Sequence, residues 1–169
     1  YDIVEIYPHN TSSFTQGLIW HNNTLYEGTG LTSQSKLFKT ELATGKALQT
    51  LSIADTLFGE GITIYNNKIY QLTWQNHKVF VYDVNTFKKE KEFNWTYEGW
   101  GITHFNNQLI ISTGSSNLYF VNPTTLAIEK TLGVYDNNGY IASLNELELI
   151  DGKIYANVWG ENKIIAIIT

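Results

Sequence analysis

Four segments of the chain echo one another every 40–45 residues, and that period constrains the fold more tightly than any other feature. Gly17 and Gly61 lie 44 residues apart, Gly61 and Gly101 lie 40 apart, and a further 45 reaches Glu146. Around these anchors each unit runs alike. A short apolar segment (LIW, ITIY, ITHF, LELI) meets a polar turn (HNN, NNK, NNQ, DGK). A central segment follows (TLYEG, IYQLT, LIISTG, IYANVW), and after a second turn a third (KLFKTEL, KVFVYDV, NLYFVN, KIIAII). The first three units add a more polar fourth segment after a Thr-rich bend: TGKALQTLS, TFKKEKEF and TTLAIEKTL.

Short segments with period-two alternation, divided by Asn, Asp and Gly turns, predict antiparallel strands. No stretch sustains the 3.6-residue period of a helix. One four-stranded sheet per repeat of this length predicts an all-β chain folded as a β-propeller, with four blades visible. Blades pack face to face around an axis, so equivalent positions of successive units converge there.

Two such positions vary in a telling way. The slot before the anchor reads Gln16, Glu60, Trp100 and Asn145, and the slot thirteen residues after it reads Gly30, Trp74, Gly114 and Trp159. Taken one by one, a Trp on a blade is packing and a Glu beside a glycine is a turn. In phase, two carboxamides, one carboxylate and three indoles are carried to one end of the axis. A buried Glu without a partner costs several kcal/mol. A shared pocket is the better reading of these slots.

Composition narrows the function. A chain of 169 residues that is 43% hydrophobic and only 16% charged has the core of one folded domain. Its net charge of -5, with no basic stripe, argues against a general nucleic-acid binder. Lys88, Lys89 and Lys91 alternate with Glu90 and Glu92 and are expected in a solvated turn. There is no cysteine, so disulfide and thiolate chemistry are excluded. No apolar run approaches the roughly 20 residues of a membrane span, so no membrane partner is expected. His9, His21, His77 and His104 lack ligand spacing and are expected on the surface or in turns, with no metal and no cofactor implied.

The motifs FTQGL, LYEGTGL, FGEGIT, IYQLTW, FVYD, EGWGIT, LNELE and IYANVW together resemble the plant-type and bacterial glutaminyl-peptide cyclotransferases, or glutamine cyclotransferases. The resemblance runs from His9 to Ile167. It implies a five-bladed propeller and an aminoacyltransferase, usually exported, that needs no metal. Such an enzyme turns an N-terminal glutaminyl residue of a peptide or protein into 5-oxoproline and releases ammonia. By motif, it carries the substrate-binding positions to Phe14, Gln16, Phe58, Trp74, Trp100 and Trp159, and the catalytic positions to Glu60 and Asn145. It further implies a secreted or periplasmic monomer whose signal segment is absent from these residues.

Three departures stand out. The family's fifth blade, with a motif like TGKxW whose lysine lines the pocket, has no counterpart here. Residues 1–169 are therefore expected to be one propeller domain lacking its C-terminal blade. The strand YDIVEIY, which in the family helps complete that last blade, is expected at the N-terminus; a four-bladed ring closed by it is the alternative. Asn10 and Thr113 stand where the family tends to have Asp.

The chemistry suits the residue types. Cyclisation needs a neutral amine, a polarised carbonyl and a proton for the departing ammonia. Glu60, flanked by Phe58 and tryptophans, is the candidate proton shuttle, its affinity for a proton raised by burial. Asn145 can donate an N–H to the carbonyl oxygen, and Gln16 can hold the substrate amide or amine. The rival reading is a propeller module that binds a sugar or amine in an aromatic pocket without catalysis.

Overall fold

The computed structural model describes residues 2–168. Among them there are strands and no helix, hence none long and apolar enough to cross a membrane. Blade 1 holds β1 (Thr15–His21), β2 (Thr24–Thr29), β3 (Lys36–Glu41) and β4 (Lys46–Ser52). Blade 2 holds β5 (Gly59–Tyr65), β6 (Lys68–Thr73), β7 (Lys78–Asp83) and β8 (Lys89–Asn94). Blade 3 holds β9 (Ile102–Phe105), β10 (Gln108–Ser112), β11 (Asn117–Val121) and β12 (Ile128–Gly133). A small hairpin, β13 (Tyr135–Asp136) and β14 (Gly139–Tyr140), leads to blade 4, which holds β15 (Leu144–Ile150), β16 (Lys153–Val158) and β17 (Ile164–Ile167). Within each blade the strands pair in chain order, all antiparallel. The repeat arithmetic thus reads out as four propeller blades.

Local chemistry explains the hairpins that join the first two strands of blades 1, 2 and 4. Asn22-Asn23, Asn66-Asn67 and Asp151-Gly152 have positive φ at both central positions, from 47° to 75°. That conformation gives a two-residue turn the twist of its strands, and Asn, Asp and Gly tolerate it best.

Period two then decides which way each side chain goes. Leu109 and Ile111 enter the core between blades 2 and 3, while Ile110 between them enters the core between blades 3 and 4. Ile69 and Phe80 face blade 1, whereas Leu72, Val79 and Val81 face blade 3. Each fully buried Leu or Ile contributes about 1.5–3 kcal/mol. Blades 2 and 3 are covered on both faces. Blade 4 leaves Ile150, Ile164 and Ile168 exposed.

The anchor glycines sit where neighbouring blades touch at the axis. A Cβ on Gly17 would lie 2.5 Å from Ile62 N, one on Gly61 2.6 Å from Trp100 O, and one on Gly101 2.2 Å from Asn145 O. No side chain fits there. The fourth anchor, Glu146, instead points a carboxyl inward, where Oε2 accepts the Leu147 N–H at 2.5 Å.

Three expectations change. Lys89 and Lys91 lie on β8, not in a turn; they alternate with Glu90 and Glu92 along an exposed outer strand. A charged edge of this kind discourages pairing with other chains. His104 lies half-buried on β9, with its ring 5.6 Å from that of Tyr65. Residues 2–7 of YDIVEIY form no strand (Tyr1 lies outside the described residues), so no ring is closed by them. Residues 2–7 are exposed, and contact with blade 1 begins after them, where Pro8 abuts Gly45 and His9 Nε2 lies 2.9 Å from Glu27 Oε1.

Candidate active site

The slot residues are aimed by irregularities in the innermost strands. Pairing shifts between Thr15 and Gly17 on β1, between Gly59 and Ile62 on β5, and between Leu144 and Leu147 on β15. Each shift inserts one extra residue, a β-bulge, which turns a side chain out of the regular alternation. The residues inside these bulges include Gln16, Glu60 and Asn145. In blade 3 the slot residue Trp100 precedes β9 and donates its N–H to Ser112 O at 3.1 Å.

The second slot explains its own alternation of Gly and Trp. A Cβ on Gly30 would lie 2.4 Å from the Phe58 ring, and one on Gly114 2.6 Å from the Trp100 ring. The glycines are berths for aromatic rings of neighbouring positions. Trp74 and Trp159 supply rings of their own, edge-on to Phe58 at 5.5 Å and to Trp100 at 6.0 Å.

The result is one cavity of about 390 Å³ lined by Phe14, Gln16, Leu31, Phe58, Glu60, Trp74, Trp100, Asn145 and Trp159. All eight residues singled out in the sequence line it. Leu31, from the loop after β2, is the one addition. A larger hollow of about 610 Å³ lies between β12–β13 and β17. It is bordered chiefly by Leu132, Val134, Ile141, Ile165 and Ile167, with Asp136 and Lys163 as its only charged side chains, and gathers no catalytic group.

Glu60 is the chemical centre of the smaller cavity. It is 5% exposed and accepts a hydrogen bond from Gln16 Nε2 at 3.0 Å. Burial pushes its carboxyl up from 4.5 to about 8; the Gln16 bond pulls the other way, and the negative charge of Glu98 adds to the rise. Asn145 is anchored by its backbone, whose C=O accepts from Ser112 Oγ at 2.7 Å.

Two further carboxyls escaped the sequence reading. Glu98 Oε2 accepts from Trp74 Nε1 at 2.8 Å and from Trp100 Nε1 at 3.0 Å, and Oε1 accepts from Gln75 Nε2 at 3.2 Å. Burial opposes its ionisation, but the bonds from Trp100, Gln75 and Trp74, with His77 nearby, hold it below the usual carboxylate range. Glu146 is the other. Its Oε1 is buried without a hydrogen-bond partner. Burial lifts its carboxyl well above the usual range, against the pull of the Leu147 and Leu18 amides; Glu148 and Glu60 push it further up. Glu98 lies two residues before a slot, so repeat phase does not find it; Glu146 was reached by phase as the fourth anchor but not as a carboxyl of the site.

Similarity to known proteins agrees with this geometry. The sequence model of the family described as glutamine cyclotransferase matches residues 1–169. The chain belongs to that family. The glutaminyl-peptide cyclotransferase of Arabidopsis thaliana is 36% identical over 168 residues, covering 98% of this chain and 52% of that protein. The chain therefore spans about half the length of that curated relative. The crystal structure of the Myxococcus xanthus glutaminyl cyclase superposes with a TM-score of 0.91 at 30% identity, over 98% of this chain and 70% of that one. The WD40 domain of Neurospora crassa Pan2 superposes with a TM-score of 0.64 at 12% identity, over 90% of this chain and 46% of that one, which shows the propeller fold alone.

Proposed function

We propose that the cavity is the active site of a glutaminyl-peptide cyclotransferase, which cyclises an N-terminal glutaminyl residue to 5-oxoproline and releases ammonia. The observation that carries this reading is Glu60, a carboxyl held at about 8 on the floor of an aromatic cavity. A peptide α-amine titrates at about 7.7–8.0. Matched affinities make proton exchange between the two nearly costless, the condition for effective acid–base catalysis.

The substrate ammonium gives its proton to the Glu60 carboxylate, leaving a neutral amine. The amine nitrogen attacks the γ-carboxamide carbon, and the carbonyl oxygen gains negative charge that an Asn145 N–H stabilises. Glu60 then hands its proton to the carboxamide nitrogen. The C–N bond breaks, ammonia leaves, and the ring nitrogen passes its remaining extra proton to the Glu60 carboxylate. Ring closure is intramolecular, so the cage formed by Phe58, Trp74, Trp100 and Trp159 acts mainly by holding the side chain folded back. Indole faces also favour the ammonium, by about 0.5–2 kcal/mol. Gln16 holds Glu60 in place and offers its carboxamide oxygen to the substrate, and Phe14 borders the mouth. We further propose a single propeller domain acting as a secreted or periplasmic monomer on peptides that begin with Gln.

Ammonia release from a Gln-initiated dipeptide tests the reading, with Glu60→Gln as the control. Turnover that disappears in the variant supports it. Dipeptide binding by both proteins without turnover in either would give the cavity to a binding module for amines.

A further inference from the structure

We propose that Glu98 is a positioning residue, whose carboxylate fixes the planes of the Trp74 and Trp100 indoles and makes the cavity selective for a cationic amine. This rests on the cyclotransferase reading for its substrate, but its geometry stands apart from it. One oxygen of Glu98 receives both indole N–H groups, at 2.8 and 3.0 Å, from two different blades. The other oxygen is held by Gln75, so the carboxylate itself cannot swing. Neither indole has to be fixed by packing alone. Among aromatic rings, Trp74 meets Phe58 edge-on and Trp100 meets Trp159, which is 64% exposed.

The chemistry follows from charge. An N–H that donates to a carboxylate pushes electron density into the indole ring, and a richer π face attracts a cation more strongly. The same fixed charge faces Glu60. The charge of Glu98 raises the Glu60 carboxyl, Glu60 in turn raises that of Glu146, and His77 lies near Glu98. Removing the charge of Glu98 while keeping its shape therefore weakens the hold on an ammonium and eases ionisation of Glu60. A merely structural contact would do neither.

The test uses the full chain and two variants, Glu98→Gln, which keeps an acceptor oxygen, and Glu98→Ala, which does not. Indole ¹H–¹⁵N resonances report the two N–H bonds. Two of them should move upfield in Glu98→Ala and return towards wild type in Glu98→Gln. Binding of a Gln-initiated dipeptide is compared with its N-acetylated, uncharged counterpart. Glu98→Gln should narrow the preference for the charged peptide by about 2–30-fold, the range that cation–π energies convert to. The Glu60 carboxyl midpoint, followed by ¹³C shift, should fall in the same variant. Unmoved indole resonances in Glu98→Ala overturn the proposal, as does an unchanged Glu60 midpoint in Glu98→Gln. Wild-type protein that binds neither peptide would sink the cyclotransferase reading, leaving the resonances and the midpoint to decide on Glu98.

Discussion

Blades 2 and 4 are built from the same repeat yet end in different surroundings. In β5 every residue from Gly59 to Ile64 is buried, whereas in β15 only Leu144 and Leu147 are. Blade 2 lies between two cores, and blade 4 rests on one. The slot residues share this fate: Glu60 is 5% exposed and Trp159 is 64% exposed. Position in the repeat decides where a side chain points, and the number of neighbours decides what it can do there. Only at the axis is blade 4 as closed as blade 2, since the Glu146 carboxyl is buried too.

The contrast can be broken at several points. Glu60→Gln should lower kcat/KM by about 10²–10⁴-fold, while Trp159→Ala should raise KM by only about 2–5-fold, as for an exposed cation–π contact. Equal losses from the two would erase the distinction. The next largest effect is on stability against pH. Unfolded Glu60 gives up its proton near 4.5, the folded residue near 8, so the fold binds the extra proton between those values and weakens as pH rises through them. Above pH 8 the full penalty applies, on the order of 5 kcal/mol. Glu60→Gln should thus be more stable than wild type in alkaline buffer and little different at pH 4. Urea melts across that range would show it, with the residual slope shared by Glu146, Glu148 and His104.

Core substitutions sharpen the comparison further. Leu72→Ala, at a fully buried position of blade 2, should cost about 2–5 kcal/mol by chemical denaturation. Gly61→Ala should cost about 1–3 kcal/mol, because its methyl meets the backbone of the next blade. Ile164→Ala, on the open side of blade 4, should change stability by less than about 0.5 kcal/mol. A large loss there would mean that the open face is covered in solution.

The blades were legible because turn chemistry and period two are local. Asn22-Asn23 and Asn66-Asn67 announce their hairpins without any knowledge of the fold. Six of the pocket residues were legible because a repeat superposes them, and those in bulges or at strand ends project to one cavity; Phe14 and Phe58 came only from the motifs of the family resemblance. Glu98 was not, since its role depends on where two indole N–H groups meet, which no spacing encodes. Leu31 escaped for a simpler reason: it lines the cavity from a loop with φ of 78°, one residue out of phase. YDIVEIY reads as a strand by composition, but in the structure its described residues 2–7 find no strand to pair with, and pairing rather than propensity makes a sheet.

The side-chain-free hub at Gly17, Gly61 and Gly101 makes the molecule a set of levers. The first three blades rest there on backbone touching backbone, with no compliant side chain to absorb a displacement, so a tilt of tenths of an ångström would grow towards the rim that carries the indoles. Catalysis would then be tunable from positions no substrate reaches, and variants selected for altered turnover should collect near the pivot as well as around the cage.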